Sequence, residues 1–261
     1  DLMDLKYGNL HLEYCVRLSE QALERFVIDD VASECDIAPV NASLKYSSGS
    51  LTVTPGKNGT ATDQGGTMAA IRVAVESADL SSGAEISVTA LQTAWEPAYT
   101  TEALSTITDK LGSYSTEYSS STSDRKTNIK VATNNIRGRI LMPGETVSVS
   151  TLMKDRTTEN GYKIGAQYNN GEVEESIGGG VCQVATTLYN ALLKAELQID
   201  KRYAHSMLVG YIEQPSLDAA IAEGSKDLVF TNNYSTPIYI YGEADGSSVY
   251  FAVYGKETRP S

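Results

Sequence analysis

Histidine is scarce in this chain: two occur in 261 residues, beside three cysteines and a single tryptophan. So few soft ligands argue against a zinc finger, an iron–sulfur cluster or a multi-histidine metal centre. Basic residues are also short, with 21 Lys+Arg against 33 Asp+Glu and a net charge of −12. A general nucleic-acid binder needs a basic face to release counterions, and electrostatic attachment to an anionic membrane needs one too. No apolar run approaches the roughly 20 residues of a transmembrane helix. The chain opens DLMDLKYGNL, with Asp at its start and neither a basic nor an apolar signal region. A processed or trimmed form is expected, with any membrane anchor outside it.

What is present suits a globular protein. Hydrophobic residues make up 41% of the chain, too many for a disordered one. The length fits one large domain or two ordinary ones. In the first part, Cys15, Leu18, Ala22, Leu23, Phe26 and Val27 recur at helical spacing. Leu44–Tyr46 and Leu51–Thr54 read as a hairpin. Met68, Ile71, Val75 and Ala78 suggest a helix starting near Asp63 or Thr67. Ile86, Val88 and Ala90 alternate as in a half-buried strand. Residues 112–124, GSYSTEYSSSTSD, read equally as a flexible linker or as an opening strand with Tyr114 and Tyr118 on one side.

In the second part, Ile129, Ala132 and Ile136 fit a helix, and Pro143-Gly144 marks a turn. The cleanest helix is expected over 181–197. Val181, Val184, Ala185, Leu188, Tyr189, Leu192 and Leu193 form an unbroken apolar stripe. Strands are expected at Leu228–Thr231, Ile238–Tyr241 and Val249–Tyr254, and Glu174-Glu175 in a solvated loop. The fold class is therefore α+β: two small mixed units, 1–108 and 109–261, the second with a helix packed on a mainly antiparallel sheet.

Three cysteines leave one unpaired. In an oxidising compartment Cys15 and Cys35 are the natural pair, with a reduced state equally open, and Cys182 is left over. Cys182 follows Gly178-Gly179-Gly180-Val181 at the mouth of the expected helix. The positive helix end and its unpaired N–H groups favour a thiolate, the nucleophilic form. The glycines let a substrate approach the backbone and leave amides for an oxyanion. The plainer alternative is a small buried cysteine at the edge of a core. A thiol nucleophile needs a base. His11 lies far off near the chain start; His205 lies 23 residues after Cys182, just past the helix. Arg137, Arg139, Arg156 and Arg202 could hold a substrate carboxylate, or simply be solvated. Asn41, Asn58 and Asn233 match the glycosylation pattern, which chance produces often.

The stretch GGGVCQVATTLYNAL (178–192) resembles the signature of VanW-domain proteins. The resemblance continues through NIRGRILMPGE (135–145), DRTTENGY (155–162), HS (205–206), DAA (218–220) and DLVFTNN (227–233), covering about residues 125–255. VSVS (147–150) departs from the aromatic segment usual there. APVNASLKYSSGSLTVTPGKNG (38–59) resembles, more softly, the peptidoglycan-binding domain that often precedes VanW domains. The resemblance implies an extracytoplasmic, wall-remodelling protein of a Gram-positive-type bacterium that acts on peptidoglycan stem peptides. It implies an L,D-transpeptidase with Cys182 as nucleophile, His205 as base and no metal or organic cofactor. Gly179, Gly180 and the Cys182 amide would serve the oxyanion. Ser206, Tyr211, Asp218 and Asp227 are the candidates to orient His205, and Arg156 and Arg202 to hold substrate. The rival readings are a wall-binding adaptor without catalysis and a thiol hydrolase.

Overall fold

The computed structural model describes residues 17–47, 49–79, 85–169 and 172–260, with the side chains of 166–175 left aside. Cys15 lies outside these residues, and with it the expected Cys15–Cys35 pair; so does His11. Contacts divide the chain into two units: Asp1–Asn41 with Gly56–Ala98, and Ala42–Pro55 with Tyr99–Ser261.

In the first unit, α1 (Glu20–Arg25) is capped by Ser19, whose hydroxyl accepts the Ala22 N–H. It runs on through a π-helical turn, Phe26–Val31, into α2 (Ala32–Cys35). Leu23 and Val27 are buried, and Phe26 is exposed. The chain leaves this unit for a hairpin, β1 (Ser43–Ser47) and β2 (Ser50–Thr54), and returns in β3 (Gly59–Thr62), α3 (Gln64–Ser77) and β4 (Gln92–Trp95). Asp63, not Thr67, caps α3: its carboxylate accepts the Gly66 N–H at 2.9 Å. Thr67 Oγ1 instead accepts the Leu91 N–H at 3.0 Å.

The strand expected over Ile86–Ala90 does not form. Residues 85–90 alternate between exposed and half-buried, as the pattern predicts, but no ladder takes them. The Leu91 backbone bonds to Thr67 and Asp63 at the start of α3. Only beyond it does β4 pair with all four residues of β3. Side-chain alternation makes a strand possible; a partner edge makes it real.

Beyond the hairpin, the second unit continues with α4 (Thr101–Ser105) and β5 (Asp109–Glu117). The first six residues of the Ser/Thr-rich stretch, 112–117, thus belong to a strand, with Tyr114 in it and Tyr118 just past it both against the main core. There follow α5 (Ser123–Ile136), β6 (Arg139–Leu141), β7 (Thr146–Ser148), α6 (Val149–Met153), β8 (Ile164–Asn169) and β9 (Glu172–Ile177). Glu174-Glu175 therefore belongs to a strand of the β8–β9 hairpin, not to a loop. Then come α7 (Val181–Lys194), β10 (Gln198–Lys201), β11 (Val229–Thr231), β12 (Ile238–Ala244) and β13 (Ser248–Gly255). Four antiparallel strands form the main sheet in the order β5-β13-β12-β6; β10-β11-β7 form a smaller one.

Helix α7 packs on β5 and β13, and α5 on β12. The buried stripe Val181, Val184, Ala185, Leu188, Ala191 and Leu192 faces this core, each large side chain worth roughly 1.5–3 kcal/mol in burial. The approach is close. A Cβ at Gly112 of β5 would lie 2.5 Å from the Ala195 amide nitrogen at the end of α7. The helix stops at Lys194, short of 197, because Glu196 takes φ 53° and turns the chain so that Leu197 folds back into the core.

A second cluster joins Leu104, Tyr239, Ala252 and Tyr254 with Leu44, Tyr46, Leu51 and Val53 of the β1–β2 hairpin. These apolar contacts are why the hairpin, although early in sequence, belongs with the second unit. A single cut after residue 108 cannot express that exchange. Among the described residues no helix is long and apolar enough to cross a membrane.

Candidate active site

The glycine turn before α7 has the backbone only glycine adopts readily: Gly178 at φ 90° and Gly180 at φ 108°. Side chains also press on it. A Cβ at Gly178 would fall 2.7 Å from Arg156 Cδ, and one at Gly180 3.0 Å from Ile129 Cγ1. Asn128, fully buried on α5, clamps the turn. Its Nδ2 donates to the carbonyls of Gly179 and Lys163, both at 3.0 Å, and its Oδ1 accepts the Lys163 N–H at 2.7 Å. The Val181 N–H bonds to Gly178 O and the Gln183 N–H to Gly180 O. Among the described residues no such partner is found for the Cys182 N–H between them. That amide is an unanswered donor at a helix N-terminus.

The Cys182 sulfur sits against Ile221, accepting its N–H at 3.4 Å with its carbonyl at 3.5 Å. The His205 ring shares a cavity wall with the Cys182 side chain and lies close enough to interact with it. On its other side, His205 Nδ1 meets Asp218 Oδ2 at 2.6 Å, and the His205 backbone N–H donates to that same oxygen at 2.6 Å. With Nδ1 so occupied, Nε2 is the nitrogen left for the thiol. Arg202 closes the far end: Nη2 donates to Asp218 Oδ1 at 2.9 Å and to the Ser216 carbonyl at 2.7 Å, and Nε to the Asp218 carbonyl at 2.6 Å. The His205 and Asp218 side chains are 9% and 10% exposed.

Burial works against an imidazolium here, but hydrogen bonds and charge from Cys182 and Asp218 outweigh it and hold His205 above its ordinary value. Burial likewise opposes the Asp218 carboxylate. Its bonds from the His205 amide and ring, with the Arg202 charge, win and hold it below the ordinary range. The line Cys182–His205–Asp218 is therefore thiol, oriented base and buried carboxylate, an arrangement able to move a proton off sulfur and back onto a leaving group.

The line opens on a cavity of about 750 Å³. Arg125, Arg156, Tyr211 and Glu223 share its wall with Cys182 and His205. Among the described residues the buried Tyr211 hydroxyl meets no hydrogen-bond geometry, and burial, then the charge at Cys182, raise its pKa. Arg125 is set by Ser121 Oγ at 2.6 Å and Gln183 Oε1 at 2.7 Å. Gln183 is in turn fixed through Nε2 to Thr116 Oγ1 and the Glu117 carbonyl.

The structure thus brings together Cys182, His205, Asp218, Tyr211, Gly180 and Arg156, with Gly179 held behind the turn by Asn128. It places three other candidates elsewhere. Ser206 is exposed and off the cavity wall. Asp227 binds Ser148 Oγ at 2.6 Å and the Ser150 N–H at 2.9 Å, anchoring the start of α6. Arg202, expected on substrate, is spent on Asp218 and Ser216 and lies over the Tyr189 ring. Arg125, Asn128, Gln183 and Glu223 escaped the sequence reading. Gln183 alone had a signal: a polar residue directly after Cys182, inside the apolar stripe.

Residues 124–254 match the family model described as "VanW like protein", and residues 3–81 match one described as "Putative peptidoglycan binding domain". The chain is 37% identical over 150 residues to "Uncharacterized protein YoaR" of Bacillus subtilis, covering 58% of this chain and 49% of that protein. It is 30% identical over 128 residues to "Vancomycin B-type resistance protein VanW" of Enterococcus faecalis, covering 47% and 46%. The chain spans about half the length of these curated relatives. No solved structure matches it. The two matches are to a VanW-like domain and to a putative peptidoglycan-binding domain that precedes it. Since the first match takes in half of the residues, the chain belongs to the VanW-like protein family.

Proposed function

We propose that the protein is an L,D-transpeptidase that forms 3→3 peptidoglycan cross-links through a cysteine thioester. One observation carries the reading: Cys182 at a helix mouth and His205 on the wall of one cavity, with Asp218 bonded to the far side of the His205 ring. The chemistry is assigned to the unit of Ala42–Pro55 with Tyr99–Ser261, and the attachment to the wall to the unit of Asp1–Asn41 with Gly56–Ala98.

In the first half, His205 takes the Cys182 proton and the thiolate attacks the carbonyl of the L-to-D amide of a stem tetrapeptide. The oxyanion is met by the Cys182 N–H beside Gly180. The tetrahedral species collapses to a thioester as the C–N bond breaks, and His205 returns the proton to the departing D-alanine amine. In the second half, the side-chain amine of a diaminopimelate on a neighbouring stem attacks the thioester and loses a proton to His205. The new amide forms and the proton goes back to sulfur. A thioester splits one hard amide exchange into two easier steps, and one base serves both.

Incubation with disaccharide-tetrapeptide muropeptides, with products resolved by mass, tests this. The expected product is a dimer lighter by the expelled D-alanine, absent with Cys182→Ala. Cleavage without dimer would assign a thiol hydrolase. Binding by a folded protein with no change in mass would assign a non-catalytic adaptor and overturn the reading.

A further inference from the structure

Arg156 carries a charge that the fold only half answers. Its side chain is 10% exposed, and its stem presses on Gly178 in the turn that leads to Cys182. A guanidinium has five N–H donors. Among the described residues no hydrogen bond reaches this one, and its ion-pair partner is Glu223 Oε2 at 3.6 Å. Glu223 is 70% exposed, so it is cheaply drawn off into water. Both side chains line the cavity that holds Cys182 and His205. A nearly buried guanidinium facing such a space is suited to a carboxylate bound two-pronged, closer than Glu223 comes. Arg156 packs on Gly178, in the turn that carries the thiol, so a carboxylate on Arg156 and a carbonyl on Cys182 would share one cavity.

We propose that Arg156 and Glu223 form a carboxylate-exchange latch. At rest Glu223 occupies the guanidinium; a donor peptide displaces it with the free C-terminal carboxylate of its leaving residue, and Glu223 turns to water. This rests on the acyl-transfer reading of the same site and names its donor class, peptides that end in a free acid one residue beyond the attacked bond. One ion pair replaces another, with no covalent change.

The test is made in Cys182→Ala protein, where chemistry cannot intervene, by calorimetric titration with two synthetic stem tetrapeptides. One ends in the free acid and the other in the C-terminal amide. The acid is expected to bind at least about ten-fold tighter. Glu223→Gln should tighten the acid several-fold, because a competing carboxylate is gone, and leave the amide unchanged. Arg156→Gln should abolish the preference for the acid, and Arg156→Lys should keep part of it. If Arg156→Gln fails to fold, Arg156→Lys and Glu223→Gln decide the matter. Equal affinity for acid and amide, weaker acid binding by Glu223→Gln, or no binding of either peptide overturns the latch. Muropeptide turnover by the parent protein is read separately. Turnover without acid preference rejects the latch alone, and acid preference without turnover rejects the acyl-transfer reading alone.

Discussion

Asp218 grips His205 twice with one oxygen: Oδ2 meets both the backbone N–H and the ring Nδ1 at 2.6 Å. The first bond places the residue and the second aims its ring, so position and tautomer depend on one carboxylate. Arg202, bonded to the other oxygen and to the Asp218 carbonyl, stops that carboxylate from rotating away.

Asp218→Asn should therefore lower turnover by up to about 10⁴-fold, the loss that follows when an amide is presented to a catalytic histidine. The amide NH₂ would face N–H donors on at least one side, and the ring would lose its fixed tautomer. Steady-state kinetics on muropeptides checks this; activity within a few-fold of the parent would remove Asp218 from the mechanism.

His205→Gln should lower turnover far more than it lowers melting temperature, the latter falling by what the Asp218 bond contributes. The ring bonds Asp218 and lines the cavity beside Cys182, and it is no part of the apolar core. Calorimetric melting beside a mass-resolved assay separates the two effects. Full activity in this variant would place the base elsewhere.

The His205–Asp218 pair also predicts a pH dependence of stability. The raised His205 value means its contribution is whole below the ordinary imidazole value of 6.5 and is lost as pH rises through the folded value. The lowered Asp218 value means its contribution is whole above the ordinary 3.8 and is lost as pH falls through the folded value. Both act in full between 3.8 and 6.5. The melting-temperature gap between the parent and Asp218→Asn should be widest in that window and narrow on either side. A gap that keeps growing up to pH 9 would contradict the assignment.

Gly180→Ala tests the turn itself. At φ 108° an added Cβ is strained, and it would press on Ile129 at 3.0 Å. A loss of about 1–3 kcal/mol is expected from the backbone alone, with the Cys182 amide shifted and turnover reduced. Gly144→Ala, at φ 77° with nothing within 4 Å, gives the matched control for strain without contact. Urea unfolding of both variants measures the difference.

Much of this was legible in the sequence because it rests on local periodicity. The stripe of α7, the β1–β2 hairpin and the β12 and β13 strands each declare themselves through their own spacing. Cys182 was marked by the glycines before it, and His205 by sharing its part of the chain. What spacing cannot carry is which distant segment comes to lie alongside. Four candidates stood equal for orienting His205, and only the path from β10 through residues 202–221 lays Asp218 against the ring and Ile221 against the thiol. The same path spends Arg202 on Asp218.

The alternation at Ile86, Val88 and Ala90 was a true local pattern that lacked an edge to pair with. The β1–β2 hairpin was a true element whose unit was decided by Tyr239, Ala252 and Tyr254 far along the chain. The sequence by itself marked most of the elements and the candidate thiol, since helical and strand periods and glycine conformation are properties of neighbouring residues. Tertiary structure alone decided which carboxylate meets His205, which arginine faces the cavity and which strand finds an edge. Those outcomes depend on charges and backbone groups brought within hydrogen-bonding range only when the core closes.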